Sequence, residues 1–213
     1  MTNAYKATVT CRGCSTPAQV AVYQSVTAWL EPRLAEDVMN NKVNRLDCPS
    51  CGKVAFIDSE LLFNDAAHGF LVQFVTSRTV QLAQLEEDLR HAVKEEPHLK
   101  ARMVINRQAF LEKVRVFRAA LDDIAIEVLK LLLKPQLPPA LRDAELRFDK
   151  VTESPQGPKL SFTASGPDVA TQMVSIPRSS HDSTAAKYGE ESLRSSEIFV
   201  DDRLANRLIG LRR

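Results

Sequence analysis

The chain has 213 residues, of which 44% are hydrophobic and 26% charged, and its formal net charge is +1. Such a composition fits a globular protein of one or two domains. Near-neutrality excludes a global attraction to nucleic acid, acidic lipid or polyanionic substrates. The opening Met1-Thr-Asn-Ala-Tyr-Lys6 has neither the basic start nor the apolar run of a secretory signal. The most apolar stretch, Ile124–Leu133, is interrupted by Glu127 and Lys130 and is too short to span a bilayer. A cytoplasmic protein with no membrane span is expected.

Lys6–Thr10, and Gln19–Val22 with Val26, are β-favouring runs on either side of Cys11-Arg-Gly-Cys14. Pro32 in a first turn, acidic residues near the start, and Leu34, Val38 and Met39 on one side predict a short helix over Glu31–Asn40. Val54–Ile57 predicts a strand after Cys48-Pro-Ser-Cys51. Phe70–Val75 reads as a buried strand, set off from Leu61–Phe63 by Asn64-Asp65 and Gly69. Val80, Leu82, Leu85, Leu89 and Val93 mostly keep helical spacing, and Pro97 ends that helix. Met103–Ile105 predicts a strand, with Asn106 as the N-cap of the next helix. Phe110, Val114, Phe117, Leu121, Ile124, Val128 and Leu131 then step by four and three, which predicts one long amphipathic helix ending before Pro135.

Lys134-Pro-Gln-Leu-Pro-Pro139 reads as a stiff linker. Beyond it, Ala144–Val151 and Lys159–Ala164 flank the turn-rich Ser154-Pro-Gln-Gly-Pro158 as a hairpin, and Gln172–Ile176 is a third strand. Ser180–Lys187 and Val200–Leu211 read as helices, the second with Leu204, Leu208 and Leu211 on one face. The fold class expected is α+β, in three segments. Residues 1–76 form a four-cysteine zinc ribbon, antiparallel β with an inserted short helix. Residues 77–134 are helical with one short strand. Residues 140–213 are a β-hairpin region with terminal helices, packed on its own or with the rest.

Cys11, Cys14, Cys48 and Cys51 are all the cysteines of the chain, in two Cys-x-x-Cys pairs. Two such knuckles supply a tetrahedral metal with four thiolates, because a two-residue gap lets one tight turn aim both sulfurs at one ion. Gly52 suits a position needing positive φ, Gly13 gives similar freedom in the first pair, and Pro49 presets one turn dihedral. Arg12 and Lys53 stand where they can offset the formal −2 charge of a dication with four thiolates. Zinc is the expected ion, and iron takes the same ligands. A closed shell leaves no position for water, which argues against metal catalysis. A thiol-disulfide redox pair is the weaker reading, since each pair lies between strand signals and not at a helix start.

The stretch from Val26 through Trp29, Pro32, Asn44 and Cys48-Pro-Ser-Cys-Gly52, followed by Leu61-Leu-Phe-Asn-Asp65, resembles the bacterial and archaeal CpXC domain family. Members carry two Cys-x-x-Cys motifs around a short helical segment, with a Leu-x-Tyr/Phe-x-Asp motif after. Leu121–Lys130 also resembles the helix downstream in longer members, so the resemblance covers roughly residues 5–130. It implies metal binding through Cys11, Cys14, Cys48 and Cys51, and it names a domain without assigning an activity. Here the first pair, Cys-Arg-Gly-Cys, lacks the proline, which leaves the ligands intact.

His68, His91, His98 and His181 are scattered without partners at ligand spacing, and His68 reads as a turn residue beside Asp65. Asp122 and Asp123 are adjacent and point about 100° apart, so with Glu127 they read as a solvated flank and not a catalytic dyad. Arg102, Arg107, Lys113, Arg115 and Arg118 read as a solvated face opposite the apolar seam. Arg203, Arg207, Arg212 and Arg213 sit on a terminal helix expected to dock within the chain. The seam from Phe110 to Leu131 is expected to pack within one chain, with a homodimer through this helix as the other possibility. With no phosphate loop or nucleophile elbow, a non-catalytic adaptor or regulatory protein that binds another protein is expected. A zinc-ribbon nucleic-acid binder is the alternative, although residues 1–76 carry six basic and seven acidic side chains, the wrong sign for phosphate.

Overall fold

In the computed structural model, residues 1–76, 79–166, 169–194 and 197–211 are described. The chain begins with a long antiparallel hairpin of β1 (Asn3–Thr10) and β2 (Pro17–Thr27). Its tip, where Thr10 faces Pro17, carries the first cysteine pair. Only the last residues of β2, Ser25–Thr27, pair onward, in parallel with β5 (Leu61–Asp65). Parallel neighbours require a crossover connection. Here the crossover holds α1 (Pro32–Met39) and a second hairpin, β3 (Arg45–Asp47) with β4 (Val54–Phe56), whose tip carries the second pair. That crossover accounts for the long interval between Cys14 and Cys48.

β5 turns antiparallel into β6 (Phe70–Phe74) through a 3₁₀ turn closed by Gly69 at φ +77. α2 (Leu82–Glu95) then crosses to β7 (Lys100–Val104), parallel to β6. The resulting sheet has the order β1-β2-β5-β6-β7. Its centre is strongly apolar, with every residue of β6 buried and Phe63 stacked on Phe70 at 5.9 Å. Phe74 meets Phe110 at 6.1 Å.

The expected single long helix is two helices, α3 (Arg107–Arg118) and α4 (Asp123–Leu133). Asn106 does cap α3, its Oδ1 accepting from the Ala109 amide at 2.8 Å. The break has a specific cause. Ala120 takes φ +51, its amide donates to Phe117 O, and the Leu121 amide donates to Val116 O. That pair of bonds is a Schellman ending, with Val116 and Leu121 packed in one core cluster as its apolar contact. Asp122 then starts the next helix by accepting from the Ala125 amide at 2.9 Å. Periodicity cannot report such a break, because the i+3/i+4 steps pass through it. The seam also serves separate cores: Phe110 packs with Phe74, whereas Ile124 and Val128 pack with Tyr188, Val200 and Leu204. All of these are buried within the one chain.

The proline segment after α4 does not act as a linker. It forms two 3₁₀ turns, Lys134–Gln136 and Pro139–Leu141, and places Leu137 and Leu141 in a cluster with Ala144, Leu146 and Ala164. A three-stranded antiparallel sheet of order β10-β9-β8 comes next, from β8 (Glu145–Thr152), β9 (Lys159–Gly166) and β10 (Val169–Pro177). The β8–β9 turn is the expected one, with Gly157 at φ +100. α5 (Arg178–Arg194) and α6 (Asp202–Leu211) end the described chain. Leu204 and Leu208 are buried as expected; the side chain of Leu211, and Arg212 and Arg213, lie outside the described residues. The protein is thus mixed α+β. Contacts divide it into two compact units, Met1–Leu111 and Glu112–Arg213. No helix among the described residues is long and apolar enough to cross a membrane.

The second unit holds a buried ion network that contradicts the solvated-flank reading of Asp123, Glu127 and Lys113. Lys113 Nζ lies 3.1 Å from Asp123 and 3.2 Å from Glu127, with all three side chains at most 8% exposed. Lys130 joins Glu127 at 2.9 Å and Glu112 at 3.1 Å, and Arg147 stands 3.5 Å from Glu112. Glu112 also accepts from the Phe148 amide at 2.7 Å. Three carboxylates and three cations therefore neutralise one another, as burial demands. In the first unit, Arg102 of β7 is buried as well, its guanidinium donating to Ala101 O.

Candidate metal centre

Each cysteine pair caps the tip of a hairpin, and the two tips are built alike. In the first, the Cys11 amide donates to Thr16 O at 3.0 Å and the Ser15 amide to Cys11 O at 2.8 Å. In the second, the Cys48 amide donates to Lys53 O at 3.0 Å and the Gly52 amide to Cys48 O at 2.9 Å. The residue after each pair must take a left-handed conformation, Ser15 at φ 59 and Gly52 at φ 69. Gly52 was legible as such a position. Ser15 was not, because nothing about a serine advertises positive φ; aligning the two knuckles residue by residue would have found it.

Gly13 has a different role from the one expected. A Cβ there would fall 2.3 Å from Lys53 Cδ, so the missing side chain makes room for the Lys53 stem from the opposite knuckle. Lys53 thereby brings its cationic side chain across the site. Arg12 is exposed on the first knuckle.

The hairpin tips converge their sulfurs. Cys11 Sγ lies 3.7 Å from Cys51 Sγ, and Cys14 Sγ lies 3.5 Å from Cys48 Sγ. All four sulfurs fall within 4.8 Å of one another. Cys11 and Cys48 are buried while Cys14 and Cys51 are exposed, and no cysteine is in a disulfide. Four sulfurs around a tetrahedral ion at about 2.3 Å stand about 3.8 Å apart, so this spacing fits one metal ion. Beneath them Leu46 packs with Cys11 and Cys48, flanked by Val9, Ala18, Val20 and Ala55.

The proton chemistry of the set also fits a cation. Hydrogen bonds from the Gly13 and Cys14 amides lower the Cys11 thiol. The Thr16 hydroxyl, then the Thr16 amide, brings Cys14 down to about 6. The Lys53 amide pulls Cys51 the same way, yet Cys14, burial, Cys48 and Cys11 together push it up to about 12. Two neighbours thus ionise easily at the expense of a third, since thiolates this close repel. A dication among them removes that conflict.

Asn44 holds the two hairpins together and has no metal-ligand chemistry to reveal it in the sequence. It is 1% exposed, and its side-chain amide pairs with both backbone groups of Tyr23. The histidines take no part. His68 Nδ1 stands 2.8 Å from buried Asp65, and His91 and His98 lie near Glu95 and Glu96. His181 is buried, its Nε2 accepting from the Asp122 amide at 2.9 Å. Among the described residues, the cysteines are the one such group gathered closely enough to hold a metal.

No curated protein and no solved structure matches the chain. The family model described as CpXC protein matches residues 9–130, more than half of the chain and a span that includes all four cysteines. With its paired hairpin tips and converging thiols lying inside that span, the chain belongs to the CpXC protein family.

Proposed function

We propose that Cys11, Cys14, Cys48 and Cys51 bind one structural zinc ion in a ribbon, and that the protein is a non-catalytic adaptor or regulator that binds another protein. The convergence of four sulfurs from two hairpin tips, at 3.5 and 3.7 Å across the pairs, carries the metal reading. A shell of four thiolates leaves no open position for a substrate or water. Zinc then contributes folding energy, on the order of 10 kcal/mol. Free thiols suit a reducing, cytoplasmic compartment.

Support for a protein partner comes from apolar side chains left in solvent in the same unit. Trp29 is 45% exposed, Leu30 61% and Val54 48%, and aromatic and aliphatic anchors of this kind are what protein interfaces cover. Val54 comes soon after the second knuckle, at the start of β4.

Metal analysis of the purified protein should give one zinc per chain, lost in Cys51→Ser together with the cooperative melting of the first unit. Equal metal content in both proteins would defeat the metal reading. Capture of a protein from native extract that is lost on Trp29→Ala, with zinc content unchanged, would support the partner reading. Specific turnover abolished by a substitution outside the cysteines would defeat the non-catalytic reading.

A further inference from the structure

The two knuckles come from hairpins joined by a crossover, and contacts other than the metal also join them, among them the apolar cluster of Leu46 with Val9, Ala18 and Val20. The β1–β2 hairpin is continuous with the five-stranded sheet, whereas β3–β4 is a separate two-stranded ribbon. Asn44, one residue before β3, bridges them. Its Oδ1 accepts from the Tyr23 amide at 2.7 Å and its Nδ2 donates to Tyr23 O at 2.8 Å. A side-chain amide here does what a neighbouring strand would do, on the stretch of β2 short of its pairing with β5. The Asn44 carbonyl meanwhile accepts from the Ile57 amide at 2.8 Å, closing the base of the second hairpin. The residue stands at φ 48, a left-handed position asparagine tolerates better than most residues.

One residue thus fixes the second hairpin to the first by its side chain and closes the second hairpin by its backbone. Four residues on from Asn44 is Cys48. We infer that Asn44 is the positioning residue of the metal centre, setting the register of the Cys48/Cys51 half-site against the Cys11/Cys14 half-site. This rests on the metal reading above. Asparagine is needed because the pairing uses one donor and one acceptor. Aspartate would keep the acceptor for the Tyr23 amide and set a second oxygen against Tyr23 O. Removing a buried amide that pairs twice leaves two backbone groups to find water, and the metal must then assemble half-sites no longer held in place.

The test uses the full chain, with zinc affinity measured by chelator competition and cobalt absorption as the report on thiolate number. Asn44→Ala and Asn44→Asp should each bind zinc at least tenfold more weakly than wild type, about 1.4 kcal/mol. Both should also lose part of the thiolate-to-cobalt charge-transfer intensity per bound ion. Gln73→Ala removes another buried amide from the same compact unit, one on β6 that donates to Phe74 O, and should keep wild-type affinity and spectrum. Wild-type affinity in Asn44→Ala, or an equal loss in Gln73→Ala, would overturn the inference alone. A wild-type chain that takes up neither ion would overturn the metal reading with it. Hydrogen exchange supplies a measurement that needs no variant. By reciprocity, stripping the metal from wild type should speed exchange of the Tyr23 amide, and an unchanged rate would overturn the inference.

Discussion

The matched knuckles allow a reciprocal experiment, because Ser15 and Gly52 occupy the same position with different residues. Gly52 sits at φ 69 and a Cβ there would meet nothing within 4 Å. Gly52→Ala therefore adds no clash, and its cost is the left-handed backbone alone, about 1–2 kcal/mol for an L-residue. Alanine also restricts the unfolded chain, which returns about 0.4–1 kcal/mol. The net destabilisation is about 1 kcal/mol, or about a fivefold weaker zinc complex. Ser15, at φ 59, already bears that strain, so Ser15→Gly should tighten zinc by a similar factor. The double variant should return close to wild type, since the tips meet at the metal and share the same backbone hydrogen-bond pattern. Chelator competition at fixed pH and salt measures all four proteins. Gly52→Ala with unchanged affinity, or Ser15→Gly with weakened affinity, would refute the claim that the two tips share one strained position.

Ala120→Gly should stabilise the chain against urea by about 0.5–1 kcal/mol with an unchanged m-value, because Ala120 holds the left-handed place of a Schellman ending at φ 51. Lys113→Met strips Asp123 and Glu127 of their shared cation and should cost about 3–5 kcal/mol in denaturant unfolding, with part recovered on adding Asp123→Asn. Lys130 loses by burial but gains more from Glu112 and Glu127, which together raise its pKa above 10.5. A raised lysine contributes stability in full below its unfolded pKa and loses it as pH climbs through the folded one. Unfolding free energy should therefore fall above about pH 10.5 more steeply in wild type than in Lys130→Met.

What the sequence reveals depends on whether a feature is written in residue type or only in geometry. The cysteine pairs are written in type, and so are the turns that require Gly52, Gly157 and Pro32. A continuous apolar run locates β6, the turn residues Ser154–Pro158 locate the β8–β9 hairpin, and helical spacing locates α1 for the same reason. The split between α3 and α4 is not so written. Ala120 is a good helix former, and its neighbours continue the apolar step, so only the Asp122 cap competes with an uninterrupted helix. Asp123 and Glu127 look solvated because charge predicts exposure unless a partner is known. Their partner, Lys113, lies ten and fourteen residues away on the other helix, and the turn at Ala120 is what brings it close. Missing that turn therefore conceals the ion network as well. The same logic separates the halves of the metal centre. Sulfur chemistry discloses the four ligands, but the bracket that aligns them is an asparagine pairing with backbone, and backbone has no sequence signature. Substitutions at Asn44 and Tyr23 should accordingly behave differently. Asn44→Ala removes both bonds, whereas Tyr23→Phe leaves them intact and should bind zinc as wild type does.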